Sequence, residues 1–275
     1  MGIVKLVVMA RGLGTRMRQG DEHETSLTEV QRRAAAEGHK ALMPLEQGQA
    51  GVVLDYLLSR AADAGLRDVC LVVSPDHEAF QRHYHPSRLT RLALHYAVQP
   101  EPTGTAHAVL AAREWSAGDD CVVVNGDNLY PVEALRAMAN GAGVALGAFT
   151  ARTLMSGSTG WPRERLSGFA LVQTGADGTL EALVEKPDAS TLDRAGDSAL
   201  ISMNLWRIDA SVFEACADVP VSTRGEYELP AAVMLAMRRG ARVAVPRVDG
   251  PVLDVSRRAD IPMVQRALAG ERPRL

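Results

Sequence analysis

The chain has 275 residues, 47% of them hydrophobic and 23% charged, with 30 Lys and Arg against 33 Asp and Glu for a formal net charge of −3. That balance belongs to an ordinary globular protein with a sizeable core, and the absence of any long single-sign block excludes a dedicated nucleic-acid groove or acidic-membrane patch. Free nucleotides need only a local basic cluster and stay open. Cys70, Cys121 and Cys216 are scattered and odd in number, two of them in apolar strand-like runs, so they read as buried, inert thiols in a reducing cytoplasm. No charged leader precedes an apolar stretch and no run approaches bilayer length, so neither export nor a membrane partner is expected.

In chain order, the apolar run from Ile3 to Met9 ends in Ala10-Arg11-Gly12-Leu13-Gly14-Thr15-Arg16. Glycines let backbone N–H groups approach an anion and an arginine adds a fork of donors, so a strand feeding a phosphate cradle is expected, although a plain tight turn uses the same residues. Ser26-Leu27-Thr28-Glu29 resembles a capping box and predicts a helix over about 26–37. The stretch 17–38 is polar and reads as a flap over a site. Helical spacing of apolar residues follows over 51–65, then a buried strand at Val69–Val73, a strand at Leu92–Val98, a helix at Thr105–Trp115 and a strand at Cys121–Val124. The alternation predicts a single-domain, Rossmann-like α/β fold with an open, predominantly parallel mixed sheet flanked by helices. Ligands of such sheets sit beyond the carboxyl ends of the strands, where the glycine turn and the residues after Val124 meet. Beyond Gly143 the texture becomes β-rich: a strand at Val144–Thr150, a hairpin of Phe169–Thr174 and Thr179–Val184, a strand at Ser198–Ile208, a helix at Glu226–Arg238, a strand at Arg242–Val245 and a closing helix at Ser256–Ala269. One domain is expected, with a nucleotide-binding half at about 1–142 and a smaller substrate-binding half at about 143–275.

Five segments carry chemistry together: Gly12-Leu13-Gly14-Thr15-Arg16 with His39-Lys40-Ala41-Leu42-Met43-Pro44 downstream, Gln99-Pro100-Glu101-Pro102-Thr103-Gly104-Thr105, Asn125-Gly126-Asp127, Glu185-Lys186-Pro187, and Leu253-Asp254. Their order and spacing resemble the sugar-1-phosphate nucleotidylyltransferases, or NDP-sugar pyrophosphorylases, whose fold is a GT-A-like Rossmann variant. The resemblance implies an enzyme in which the phosphate of a sugar 1-phosphate attacks the α-phosphorus of a nucleoside triphosphate and pyrophosphate leaves. The chemistry is in-line joining of two polyanions, which calls for positive charge and a divalent ion with oxygen ligands. By the resemblance, Arg16 and Lys40 lie against the triphosphate, Ala10, Gly12, Gly14 and Thr15 form its cradle, and Asp127 and Asp254 hold Mg²⁺. Gln99 offers a donor and an acceptor to a base edge, and its place five residues before Gly104 favours UTP or dTTP. Gly104 and Thr105 open a helix whose N–H groups face the base or ribose. Lys186 is the counterpart of the lysine on the sugar phosphate, with Glu185 and Asn204 in the sugar pocket. Expected partners are therefore a nucleoside triphosphate and a sugar 1-phosphate, with a homo-oligomer allowed and nucleic acid excluded.

The chain departs from that pattern in ways that bear on the substrate. The gap between Arg16 and Lys40 is long, His39 stands where proline is common, and Arg11 replaces a small residue. Ala170 and Asn204 occupy places of glycines and narrow the sugar pocket, and Ser256 replaces another glycine. A cytidylyltransferase for an alcohol phosphate such as phosphocholine is one alternative, and a silent nucleotide-binding regulatory relative is another. His77, His83 and His85 show no metal-ligand spacing.

Overall fold

The computed structural model describes residues 5–12, 14–19, 27–45, 51–156 and 160–275. Leu6 and Val8 of β1 (Lys5–Met9) point to one face of the sheet and Val7 to the other, all fully buried. The same two-residue period puts Val69, Leu71 and Val73 of β2 (Asp68–Val73) on the first face and Cys70 and Val72 on the second. Strands apolar on both faces need cover on both, and helices supply it. The connections after β1 give α1 (Thr15–Arg18), α2 (Glu29–Glu37) and α3 (Val53–Asp63), and after β2 comes α4 (Glu78–His83). Then follow β3 (Ala93–Val98), α5 (Thr105–Ala111), α6 (Arg113–Ser116), β4 (Cys121–Asn125), β5 (Asn128–Leu129) and α7 (Val132–Asn140).

The later part contributes β6 (Val144–Thr150), α8 (Ala151–Met155), β7 (Ala170–Thr174), β8 (Leu180–Val184), α9 (Ala189–Ala195) and β9 (Leu200–Ile208). It closes with α10 (Ala210–Asp218), α11 (Leu229–Arg238), β10 (Val243–Ala244), β11 (Leu253–Asp254) and α12 (Asp260–Ala267). The sheet order is β10-β6-β9-β4-β1-β2-β3, with β7 and β8 attached beside β9. Every strand of the main path runs the same way except β9, which is antiparallel to both β4 and β6. The predominantly parallel mixed sheet is as expected, and β7 and β8 form the expected hairpin. Residues of α3 and α7 pack on one face, and those of α5, α10 and α11 on the other.

Several boundaries differ from the sequence reading for local reasons. The helix over Thr105–Trp115 breaks at Ala112 into α5 and α6. The helix expected from Glu226 begins at Leu229, because Tyr227 is spent hydrogen-bonding the start of α5. The last helix begins at Asp260, whose carboxylate accepts the N–H groups of Ser256 and Arg257 at 3.0 and 2.8 Å. The cap of α2 is Thr28, reciprocated by Gln31 as a capping box, and Ser26 lies outside the described residues.

The flap reading of 17–38 is corrected by the part that is described. Met17, Leu27 and Ala35 are buried in the same core as Leu6 and Val8, and buried Gln31 donates to the Pro44 carbonyl at 2.9 Å. Polarity misled because α2 sets its charges on one face and only Gln31 and Ala35 on the other. All three cysteines are buried, and burial pushes each thiol up to about 12. Among the described residues no helix is long and apolar enough to cross a membrane.

Candidate active site

The carboxyl ends of β1, β2, β3 and β4 open onto one crevice of about 920 Å³. The ends are stitched together: Ala10 N–H donates to Val72, Gln99 N–H to Val73 and Gly126 N–H to Met9. Of the residues expected to bind nucleotide, Ala10, Gly12, Thr15, Gln99, Gly104 and Thr105 line this crevice, as do Lys40 and Asp127.

Two glycines shape its surroundings, Gly104 in the lining and Gly14, also expected at the nucleotide, buried behind it. Gly14 has a φ of 61° and starts α1, and a Cβ there would lie 2.4 Å from the Gly38 carbonyl oxygen. The turn after β1 is thereby pressed against the end of α2, and Gly38 in turn accepts the Lys40 N–H, which sets Lys40 at the crevice. Gly104, at φ 121°, lets the loop after β3 touch Tyr227, whose backbone oxygen a Cβ would meet at 2.4 Å. Tyr227 then takes the Ala106 N–H and gives its own to Thr103, while the Thr105 hydroxyl accepts the Leu229 N–H at 2.8 Å. These groups at the start of α5 are thus engaged within the chain.

Lys40 Nζ donates to Asp127 Oδ2 at 3.0 Å, both side chains about one-fifth exposed. Asp254 approaches from the other end of the sequence, because β11 pairs antiparallel with β5, setting Asp254 opposite Asn128, and Val255 N–H donates to the Asp127 carbonyl at 3.0 Å. Asp254 is buried, and burial first and the Asp127 charge second push its carboxyl up to about 6, against the pull of Arg165 and of Ser256. Arg165 binds Asp254 Oδ2 at 2.7 Å and Asp260 Oδ1 at 2.5 Å, with its guanidinium over the Trp161 ring.

The remaining expected residues lie elsewhere. Arg16 is exposed and outside the crevice lining, where Arg18 is found instead, donating to the Glu37 carbonyl at 2.9 Å. Glu185 and Lys186 are exposed, and Lys186, at φ 46°, lines a second hollow of about 540 Å³ with Arg163, Glu164 and Asp188. Desolvation raises the Glu185 carboxyl, and Glu228 adds to it while Arg224 and Lys186 oppose, so this segment lies close to the strap around Tyr227. Asn204 is half-buried in a positive-φ kink of β9. Sequence reasoning missed the crevice wall after β2, where Ser74, Asp76, Glu78 and Arg82 stand. No motif marks them, and the only available signal was their position just past a buried strand.

The strand ends of a mainly parallel α/β sheet meet the Lys40–Asp127 pair at one crevice, and Asp254 lies behind its lining on the separate β5–β11 ribbon, an arrangement of the kind that handles phosphate groups. Residues 5–250 match the model of the nucleotidyl transferase family, and the chain belongs to that family. It is 25% identical over 256 residues to the UTP–glucose-1-phosphate uridylyltransferase AglF of Haloferax volcanii, covering 92% of this chain and 91% of that protein. It is 28% identical over 268 residues to a glucose-1-phosphate thymidylyltransferase of Streptomyces antibioticus, covering 96% of this chain and 66% of the relative. The bifunctional protein GlmU of a Bradyrhizobium species is 30% identical over 274 residues, and there the chain spans 52% of the relative. A crystal structure of UDP-glucose pyrophosphorylase complexed with UDP-glucose shares the fold, with a TM-score of 0.72 at 16% identity over 98% of this chain and 100% of that one.

Proposed function

We propose that this nucleotidyltransferase joins UTP or dTTP to a sugar 1-phosphate, forming an NDP-sugar and releasing pyrophosphate. The observation that carries the reading is the Lys40–Asp127 pair, 3.0 Å apart in a crevice that also holds Gln99. Lys40 is placed to leave Asp127 for a triphosphate oxygen, a charge-assisted bond that favours the more highly charged partner. Asp127 and Asp254 would hold a divalent ion through hard carboxylate oxygens, Asp254 after Arg165 and Ser256 release its own, and such an ion would relieve what burial first and the Asp127 charge second impose on the Asp254 carboxylate. Among the described residues no group of three or more His, Cys, Asp and Glu side chains could hold a metal, so the other ligands would be triphosphate oxygens and water. Mg²⁺ would supply charge neutralisation at the reacting phosphates. Lys186, beside Glu185, is proposed to hold the phosphate of the sugar substrate.

A coupled pyrophosphate assay that crosses the four NTPs with a panel of sugar and alcohol phosphates tests this. Pyrophosphate should appear with a uracil or thymine nucleotide and a sugar 1-phosphate, and only with Mg²⁺ or a similar ion. Turnover with phosphocholine and CTP alone would replace the proposal by the alternative acceptor class.

A further inference from the structure

Arg11 spans the gap between the glycine turn after β1 and the loop after β3. Its Nε donates to the Gln99 carbonyl at 2.8 Å and its Nη2 to the Pro100 carbonyl at 2.9 Å, and the half-buried side chain lines the crevice. Two main-chain acceptors fix the guanidinium plane. Among the described residues Nη1 has no hydrogen-bond partner, and the acidic neighbour is Glu101, which forms no ion pair with it. Gln99 is buried, and its Nε2 donates to the Gly104 carbonyl at 2.9 Å. Because that partner can only accept, it decides which end of the carboxamide is nitrogen, and the end without a partner among the described residues is Oε1. Both residues line the crevice, Gln99 with an acceptor and Arg11 with a donor left over, and each side chain is held by main-chain carbonyls, that of Arg11 by Gln99 itself. The sequence reading had asked Gln99 to supply both.

We infer that Arg11 and Gln99 read the nucleobase as a pair, which rests on the nucleotidyl-transfer reading above and deepens it. Gln99 Oε1 accepts the ring N3–H of uracil or thymine, and the Arg11 guanidinium donates to an adjacent ring carbonyl. Cytosine presents a lone pair at N3, which would face Oε1 with like polarity, so the arrangement discriminates by repulsion as well as by attraction. Arg11 is thus a specificity residue for the base, although it sits in the turn that cradles phosphate.

The test titrates UTP, dTTP and CTP, without acceptor, into the wild type and into Arg11→Ala, Arg11→Lys and Arg11→Gln. The wild type should bind UTP and dTTP more tightly than CTP. Arg11→Ala should lose roughly tenfold or more in UTP affinity and much less for CTP, so that the preference collapses, and Arg11→Lys should recover part of it. An unchanged UTP-to-CTP ratio in Arg11→Ala, with or without a uniform loss, overturns the inference and leaves Arg11 a strut between two loops. Because removing a strut can unfold the turn, a second arm uses the intact protein with 2-thio-UTP and 4-thio-UTP, each of which replaces one ring carbonyl oxygen by a weaker acceptor. One analogue should bind several-fold more weakly than UTP, and equal binding of all three overturns the inference. Preference of the wild type for a purine nucleotide would remove the pyrimidine reading itself, whereas tight UTP binding that ignores Arg11 removes only the paired readout.

Discussion

Asn204 holds a backbone φ of 55°, where most side chains crowd the next carbonyl and asparagine is the best tolerated after glycine. Its presence in the place of a family glycine is therefore conformationally sound. Asn204→Gly should leave stability nearly unchanged, while Asn204→Val should cost about 1–2 kcal/mol in denaturant unfolding. Asp127 carries the chemistry proposed above, and Asp127→Asn should lower turnover by roughly a hundredfold or more with the melting curve retained; full activity would remove it from the reaction. Asp254 has a pH signature of its own. Its carboxyl is raised to about 6 from an ordinary 3.8, so between those values the folded state keeps a proton that the unfolded chain has released. That contribution is whole below the unfolded value and is lost as pH rises through the folded one. The midpoint of chelator-treated protein should accordingly fall from about pH 4 to about pH 6, and Asp254→Asn should flatten that part of the profile. Both aspartates were legible because each follows a short apolar run and matches a family segment. Arg165 was not, since nothing in its neighbourhood in the sequence says that residues 254 and 260 will meet it.

At the scale of elements, α2 is where the sequence misled most, because a short helix with two buried positions has the composition of a loop. Its caps and the Gln31–Pro44 contact tie it to the core. Replacing 29–37 by a glycine–serine linker of equal length should lower the melting midpoint by roughly several degrees. An unchanged midpoint would restore the flap. α7 ends on an arginine from another strand: buried Arg207 of β9 donates to the carbonyls of Met138, Ala142 and Gly143, satisfying the end of the helix. Gly141 leaves it room, since a Cβ there would collide with the guanidinium. Arg207→Met should cost about 1–3 kcal/mol in denaturant unfolding through unpaired buried carbonyls, and a loss below the error of the measurement would show that water replaces the arginine. Strands such as β2 and β4 were plain in the sequence because continuous apolar runs admit little else between turns. The start of α11 was not, because Tyr227 and Glu228 have ordinary helix propensity, and the main-chain bonds of Tyr227 go to Thr103 and Ala106, far away in the chain.

Over the whole molecule, the parallel order of β1 to β4 followed from the alternation of strand and helix, whereas the place of β9 did not. Periodicity states that a strand is buried and is silent about its neighbour. Here β9 enters between β4 and β6, so a strand from beyond residue 199 completes the sheet begun by residue 5. The strap at Tyr227 crosses the same divide to hold Gly104 and Thr105. A swap of carboxyl-terminal halves between relatives, cut near residue 142 where the composition changes, would break both joints at once. It would set a foreign β9 against β4 and a foreign strap against the loop after β3. Recombination within this lineage would pass more readily through exchange of 151–199, the hairpin and the short helices that flank it, with β6, β9 and residues 222–229 inherited together with the amino-terminal half. A library of chimaeras scored for soluble expression should show crossovers at both ends of that window and a trough near 142. New acceptor specificities would then arise by grafting an insert into a conserved frame, and the base a relative uses would travel with the frame.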